Sequence, residues 1–454
     1  MRASHPPIPP GHWLLGHLPG YQADQLSYEK HLARTYGDVV HVRWANQHAY
    51  LVSHPEDVRR VLVDEADKFD KAPIYRELLS YFLGNGLLTS DGDFWRRQRK
   101  LAQPAFHHKR ILAYAQVMAD YTRRQMAAWQ PGQVRAINQD MMRLTLSIVA
   151  KTLFDADIEA EAGRVGEALT AVLEITNHRI QSPLQIIPDW LPTPENRKRK
   201  AAVELLTALV MKIINERRGD GVDRGDLLSM LLRAQDDAGQ PMTDRQLRDE
   251  AVTIVLAGHE TTANALTWAW YLLAQHPEVE AKLHAELARQ LGDRQPAPDD
   301  LRGLEYAEMV IKEVMRLYPP IPSIARQAKT EVALTEYTVP AGMIVTISPH
   351  ILHADPRWFP DPGVFRPERF AKANEAALPK YAYLPFSAGP RVCIGNGFAL
   401  LEATLILAAI AQQYRLELEP GQTVRAHAAL TLRPAADLRM RVTPRRPAAP
   451  GAGG

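Results

Sequence analysis

The chain has 454 residues, a formal net charge of +2, 46% hydrophobic and 23% charged residues, and one cysteine. That balance is the one of an ordinary soluble globular protein, long enough to bury most of its apolar surface. It excludes the global basic field that nucleic acid attracts, and a single cysteine excludes an internal disulfide.

Residues 1–20 are rich in proline and read as a lead-in, with no apolar run long enough for a signal peptide or membrane anchor. No Gly/Ser linker, repeat or low-complexity block interrupts residues 20–440, so one large domain is expected over 21–443, with 444–454 as a loose tail. "DVVHVRWANQHAYLVS" (38–53) alternates around Asn46-Gln47 and predicts a hairpin. Helical spacing of apolar residues follows in "YAQVMADYTRRQMAAW", "MMRLTLSIVAKTLF" and "AVELLTALVMKIINERR", and later in "PEVEAKLHAELARQL" and "YAEMVIKEVMRLY". The longest helix is expected to begin at "MTDRQ", where Thr243 and Gln246 have capping-box spacing, and to end before Pro277. That is about 33 residues or about 50 Å, so the helix must be buried along much of its course. Its segment 253–274 has the length of a membrane span, but Glu260 at its middle would be costly in lipid. "EVALTEYTVPAGMIVTIS" (331–348) predicts a second hairpin with Pro-Ala-Gly at its turn, and "RLELEP" and "LTLRPAADLRMRV" predict further strands. The expected fold class is mostly α with a small β region.

The cysteine lies in "FSAGPRVCIG" (386–395), just before the apolar segment "NGFALLEATLILAAIAQQY". Alone, such a cysteine is most often a small buried hydrophobe. Here Phe386, Gly389, Arg391 and Gly395 stand at fixed short offsets from Cys393. Gly389 allows a tight turn or a close approach to a flat object. The N–H donors of a following helix favour thiolate, which suits a nucleophile or a metal ligand.

The loop matches Phe-x-x-Gly-x-Arg-x-Cys-x-Gly, the haem-binding loop of the cytochrome P450 monooxygenases, at every fixed position. "WRRQR" (95–99), "AGHETT" (257–262), "EVMR" (313–316) and "FRPERF" (365–370) match four further motifs of that family, in its order. The chain therefore resembles a cytochrome P450 of the soluble bacterial type. The resemblance implies that fold, with haem b between the long helix and the cysteine loop and Cys393 as the iron ligand. The starting Met1 and the lack of a tag favour a native start over a trimmed one. Ser387 stands where many members carry glycine; serine occurs there too, so no loss of function is read from it.

Each motif has its own physical reading. Glu313 and Arg316 share one helix face and alone would be a surface ion pair of little worth. The resemblance implies that they join Arg369 in a buried network supporting the haem loop. Trp95 and Arg99 also share a face, and indole N–H and guanidinium both suit a carboxylate. The resemblance makes them donors to a haem propionate, together with Arg391 and Arg326. Arg96, Arg97 and Lys100 read as a solvated basic face, and His353 is given no role beyond structure.

At the middle of the long helix, the Thr261 hydroxyl is expected to bond the Ala257 carbonyl and distort the helix, while Gly258 removes a side chain. Together these would open a groove for dioxygen. By resemblance, Glu260 and Thr261 are the acid–alcohol pair that delivers the protons needed to split it. On the other face a thiolate favours that cleavage, and N–H groups after Cys393 would tune its donor strength.

The pocket is expected from "IYRELLSYFLGNGLLTS", "VLEITNHRIQSPLQIIPDWL", the long helix, "PPIPSIAR" and "ALTLRPA". Tyr75, Leu79, Phe82, Leu87, Leu256, Ala257, Ile321, Ile324 and Leu430 are its candidates, with core packing the plain alternative. An apolar substrate follows in class only: fatty acid, terpenoid, steroid-like or macrolide. The chain shows no Gly-rich nucleotide fingerprint and no cysteine set for an iron–sulfur cluster. Electrons are then expected from a separate ferredoxin- or flavodoxin-type protein with its reductase, docked near Cys393 on a cytoplasmic enzyme. "NRKRK" (196–200) reads as a solvated helix start. A peroxide-driven peroxygenase and a non-catalytic haem sensor are the alternatives; the intact Glu260-Thr261 pair disfavours both.

Overall fold

The structure, a computed structural model, describes residues 5–158, 161–181, 188, 190–235 and 239–445. Its axis is the helix Asp244–Gln275. Thr243 caps it: its hydroxyl accepts from the Gln246 amide at 3.3 Å, while Gln246 Oε1 accepts from the Thr243 amide at 2.8 Å. The helix ends before Pro277, as its sequence predicts.

The helix is buried because others wrap it. Ile137–Phe154 runs along one side, and Pro194–Asp220, Glu305–Leu317 and Asn396–Gln413 cover much of the rest. Asn396–Gln413 is apolar all round, the composition of a helix with no solvent face. Its Leu405–Ala411 stretch lies in the main hydrophobic core with Leu266, Trp268 and Ala269 of the central helix.

A five-stranded sheet flanks this helical body in the order Val39–Trp44, Gln47–Val52, Ile344–Ile347, Ile324–Ala328, Phe69–Lys71. All its pairs are antiparallel except Gln47–Val52 with Ile344–Ile347. The first hairpin turns at Ala45-Asn46, one residue earlier than expected, and Ala45 takes φ 53°. The second expected hairpin does not form. Thr338–Val339 pairs backward with Val332–Ala333, whereas Ile344–Ile347 enters the large sheet. Pro340 has no N–H to start a ladder across that turn, and Gly342 at φ 82° redirects the chain. Tyr414–Leu418, Arg439–Pro444 and Val134–Ala136 form a three-stranded sheet, and Ala426–Ala428 pairs with Leu432–Pro434.

The Pro-rich segment is bound to the sheet. The His41 amide donates to Pro7 O at 2.9 Å and the His17 amide to Arg43 O at 2.7 Å, and a helix begins at Leu18. At the other end Pro444 closes a strand, and the tail from residue 446 lies outside the described residues. Among the described residues no helix is long and apolar enough to cross a membrane.

Candidate active site

The cysteine loop is closed by two backbone bonds. The Cys393 amide donates to Phe386 O at 2.9 Å and the Val392 amide to Gly389 O at 3.0 Å. Gly389 takes φ +69°, and a Cβ there would lie 1.8 Å from Leu62 O. Glycine is therefore required there by the tight turn, as expected, and by the neighbouring backbone. Gly395 meets only the Phe106 ring, at 3.7 Å. The half-buried Phe386 packs against the main core.

Cys393 is exposed as a residue, while protein atoms crowd its thiol. Burial pushes its thiol pKa up, against the Gly395 amide bond and the Arg99 charge that favour thiolate. The amide acts in the direction expected of donors at a helix start, and desolvation opposes it.

Cations gather beside the loop. Arg99 Nη1 donates to Val392 O at 2.8 Å, bracing the residue before the cysteine. Arg391 forms an ion pair with Asp91, and its guanidinium lies 4.4 Å from the centroid of the Trp95 ring. Arg326 is buried, and its Nη1 donates to Ala325 O at 3.0 Å. Asp91 and Lys71 complete the cluster and were missed. Asp91 stands where an N-cap is expected, yet its side chain caps nothing and turns to Arg391.

The central helix exposes Ala257 and half-exposes Gly258 and Thr261 in an otherwise buried stretch. Thr261 Oγ donates to Ala257 O at 2.8 Å, as expected from its spacing. Gly258 has another reason to be glycine: a Cβ there would sit 3.0 Å from Val149 on the adjoining helix. Glu260 is only 4% exposed, and its hydrogen-bond partner is Thr431, not Thr261. Burial raises its pKa, and the Thr431 bond and the Arg433 charge oppose the rise. The acid and the alcohol are neighbours in sequence, but one helical step aims them apart.

The support network is assembled. Arg316 makes a bidentate pair with Glu313 at 2.7 and 2.8 Å and donates to His353 O and Pro362 O. Arg369 Nε lies 3.4 Å from Glu313 Oε1, and Arg369 Nη2 donates to Asp361 O at 2.8 Å. Both Glu313 and Arg316 are fully enclosed, so the pair is not the surface contact that its spacing alone suggests.

The pocket candidates divide. Tyr75, Leu87, Ile321 and Leu430 are half-buried and accessible. Leu79 and Phe82 are each 1% exposed and belong to the main core, so they are corrected to packing residues. Leu256 joins them there, and Ile324 is packed in the core of the large sheet. Residues 182–187 and 189, within another expected wall, lie outside the described residues. In "NRKRK", Arg199 is corrected too: it is 2% exposed and stacks over the Tyr81 ring at 3.8 Å.

The donor set fits haem in its chemistry: a sulfur that accepts an amide bond, a group of cations with Asp91 as their counter-charge, and a notch at Ala257 and Thr261. Comparison with known proteins agrees. The "Cytochrome P450" family profile matches residues 6–435. The cyclooctat-9-en-7-ol 5-monooxygenase of Streptomyces melanosporofaciens is 41% identical over 418 residues, 90% of this chain and 89% of that one. The pentalenene oxygenase of Streptomyces avermitilis is 34% identical over 413 residues, 91% of each chain. Human cytochrome P450 4F3 is 32% identical over 469 residues, 97% of this chain and 90% of that one. The chain belongs to the cytochrome P450 family and is a P450 monooxygenase.

Proposed function

We propose that this monooxygenase inserts one oxygen atom of dioxygen into a terpenoid-class, largely hydrocarbon substrate, using haem b ligated by Cys393. The single observation that carries the substrate class is its similarity to two Streptomyces enzymes named for cyclooctat-9-en-7-ol and pentalenene. The apolar character of the accessible residues Leu87, Ile321 and Leu430 supports it.

When bound, haem supplies dioxygen activation at a thiolate-ligated iron. The chain's own residues do the rest. The Gly395 amide bonds the sulfur and moderates its donor strength. Trp95, Arg99, Arg326 and Arg391 offer N–H donors and positive charge to carboxylates of the cofactor. Thr261 Oγ has lone pairs free to accept a proton while its own hydrogen points to Ala257 O. Glu260, whose pKa burial raises, accepts the Thr431 hydroxyl at its carboxyl, a place from which an acid can exchange a proton.

Electrons come from a separate ferredoxin- or flavodoxin-type protein and its reductase, in the cytoplasm. A surface cleft of about 700 Å³ supports that reading, lined by Trp95, Arg96, Arg99, Lys100, Lys109 and Arg110. Its positive charge suits an acidic partner.

The test is a spectral titration of the purified haem protein with polycyclic terpene alcohols and hydrocarbons, fatty acids and steroids. Low-spin to high-spin conversion by the terpenes at the lowest concentrations is expected. Conversion by fatty acids alone would overturn the substrate class and leave the haem-thiolate assignment standing.

A further inference from the structure

The segment from Gly84 to Asp91 runs between the central helix and the cysteine loop, and it is held by buried ionisable groups at both ends. At the helix end, the Asn85 amide donates to Asp249 Oδ2 at 2.8 Å and the Leu87 amide to Glu250 Oε2 at 3.0 Å. The two acids are 2% and 1% exposed. At the other end, Lys71 Nζ donates to Leu87 O at 2.6 Å and to Ser90 O at 3.0 Å. Lys71 is itself 6% exposed. Both backbone polar groups of Leu87 are thus taken by charged-type side chains from different elements.

The fit around these bonds is tight. A Cβ on Gly84 would lie 2.1 Å from the Asp249 carboxyl, and one on Gly86 would lie 2.3 Å from Thr253 Oγ. Thr89 Oγ donates back to Gly84 O at 2.8 Å, closing the segment on itself. Beyond Leu87, Asp91 Oδ1 takes both the Lys71 amide at 3.3 Å and the Arg391 guanidinium. The wall residue Leu87 is therefore registered to the helix that carries Thr261 and, through Asp91, to the loop that carries Cys393.

Burying two carboxyls and an amine is expensive, and packing alone would fix a loop more cheaply. What these groups add is direction: a backbone held at both N–H and C=O fixes the direction in which the Cα–Cβ bond of Leu87 leaves the chain. We infer that Glu250 and Lys71 are positioning residues for substrate selection, setting how far Leu87 projects into the pocket by gripping its backbone. The inference rests on the proposed reading of Leu87 as a pocket wall.

The experiment uses the haem-loaded protein and two probes. Imidazole coordinates iron without filling the pocket, and 4-phenylimidazole also presses an aromatic ring on the walls. Loss of the buried hydrogen bond that leaves the Leu87 amide unpaired predicts that Glu250→Ala weakens 4-phenylimidazole about tenfold and changes imidazole less than about twofold. Glu250→Gln, which keeps an acceptor oxygen at the same reach, is expected to restore most of the difference. Hydrogen exchange of the peptide 84–90 should speed up in Glu250→Ala while the peptides around Glu313 and Arg316 stay protected. Gly86→Ala attacks the same loop from the Thr253 side and should show the same selective loss. An unchanged ratio of the two affinities, an unchanged exchange rate, or a Gln variant no better than Ala would overturn the inference. Imidazole binding and the carbon monoxide band report the haem-thiolate reading separately, so its failure is distinguishable from failure of the clamp.

Discussion

Thr431 Oγ donates to Glu260 Oε1 at 2.7 Å, tying the middle of the central helix to a turn 171 residues later in the chain. The bond makes Thr431 a partner of the acid and leaves Thr261 with a different one, Ala257 O. Glu260→Gln is expected to lower product formation by about 10²-fold or more, the usual scale for removing a general acid, with haem content and substrate-induced spectral shift kept. Thr431→Val should raise the Glu260 pKa further, because the hydroxyl bond is one of the two influences that oppose burial. A pH–rate profile reads this directly: a limb that Glu260 controls moves to higher pH in Thr431→Val and vanishes in Glu260→Gln.

Thr261→Ala removes the hydroxyl from the notch while leaving an excellent helix former in its place. Electron consumption should continue, with most of it diverted to hydrogen peroxide or water, and the product formed per electron should fall about tenfold or more. Thr261→Ser keeps the hydroxyl and should keep the coupling. Peroxide yield measured beside product yield checks this; equal coupling in wild type and Thr261→Ala would remove the relay role.

The Glu313–Arg316 pair is a case in which sequence and structure differ by environment, not by geometry. Spacing of three places both on one face, but only the fold encloses them, and it also brings Arg369 and three main-chain carbonyls to the same point. Arg316→Lys keeps the charge but loses the planar fork. It is expected to destabilise by about 1–3 kcal/mol, the scale for leaving buried acceptors unpaired, and to reduce haem retention. Chemical denaturation and the haem-to-protein absorbance ratio are the readouts. Arg369→Lys should cost less, since its Nε lies at 3.4 Å from Glu313 and its firmest bond is to a carbonyl.

The Thr261–Ala257 bond and the capped helix follow from spacing, and the cysteine loop is recognised by its resemblance to the family's motif. What was not legible depends on contacts between distant segments. Asp91 lies 300 residues from Arg391 and Glu250 163 from Leu87, so neither partnership leaves a mark in local spacing. Gly389 takes the tight turn expected of it, but the approach of Leu62 O to Gly389 and of Val149 to Gly258 is not written locally, because a missing side chain does not say what it makes room for. Leu79 and Phe82 show the same limit: apolar residues suit a pocket wall and a core equally until burial distinguishes them.

His353 adds a pH dependence. Its Nε2 accepts from the Leu384 amide at 2.8 Å, so its other nitrogen carries the hydrogen and donates to Arg316 O at 3.2 Å. A second proton would have to displace the Leu384 amide beside a buried arginine. Burial and the Arg316 charge lower its pKa from 6.5 to about 3. The unfolded chain therefore binds more protons than the folded one between these values. The stabilisation is fully present above pH 6.5 and is lost as pH falls toward 3, at up to about 1.4 kcal/mol per unit. His259 and His350, lowered to about 4 and about 3, act in the same direction. Urea midpoints at pH 7 and pH 5 should fall together with pH, and His353→Gln, which keeps an acceptor but cannot titrate, should fall less steeply.

Ser387 stands in the cysteine loop at φ 61°, in the left-handed region, and its hydroxyl is buried with no hydrogen-bond partner among the described residues. The backbone explains why glycine suits this place: a non-glycine residue there carries about 1–2 kcal/mol of strain. Glycine relieves that strain and removes the unpaired hydroxyl, at a cost of about 0.5–1 kcal/mol in the entropy of the unfolded chain. Ser387→Gly is expected to raise the unfolding free energy by about 1 kcal/mol, with the carbon monoxide band unmoved. A loss of stability instead would mean that the loop depends on the serine Cβ for packing, and that the left-handed turn is held at no net strain.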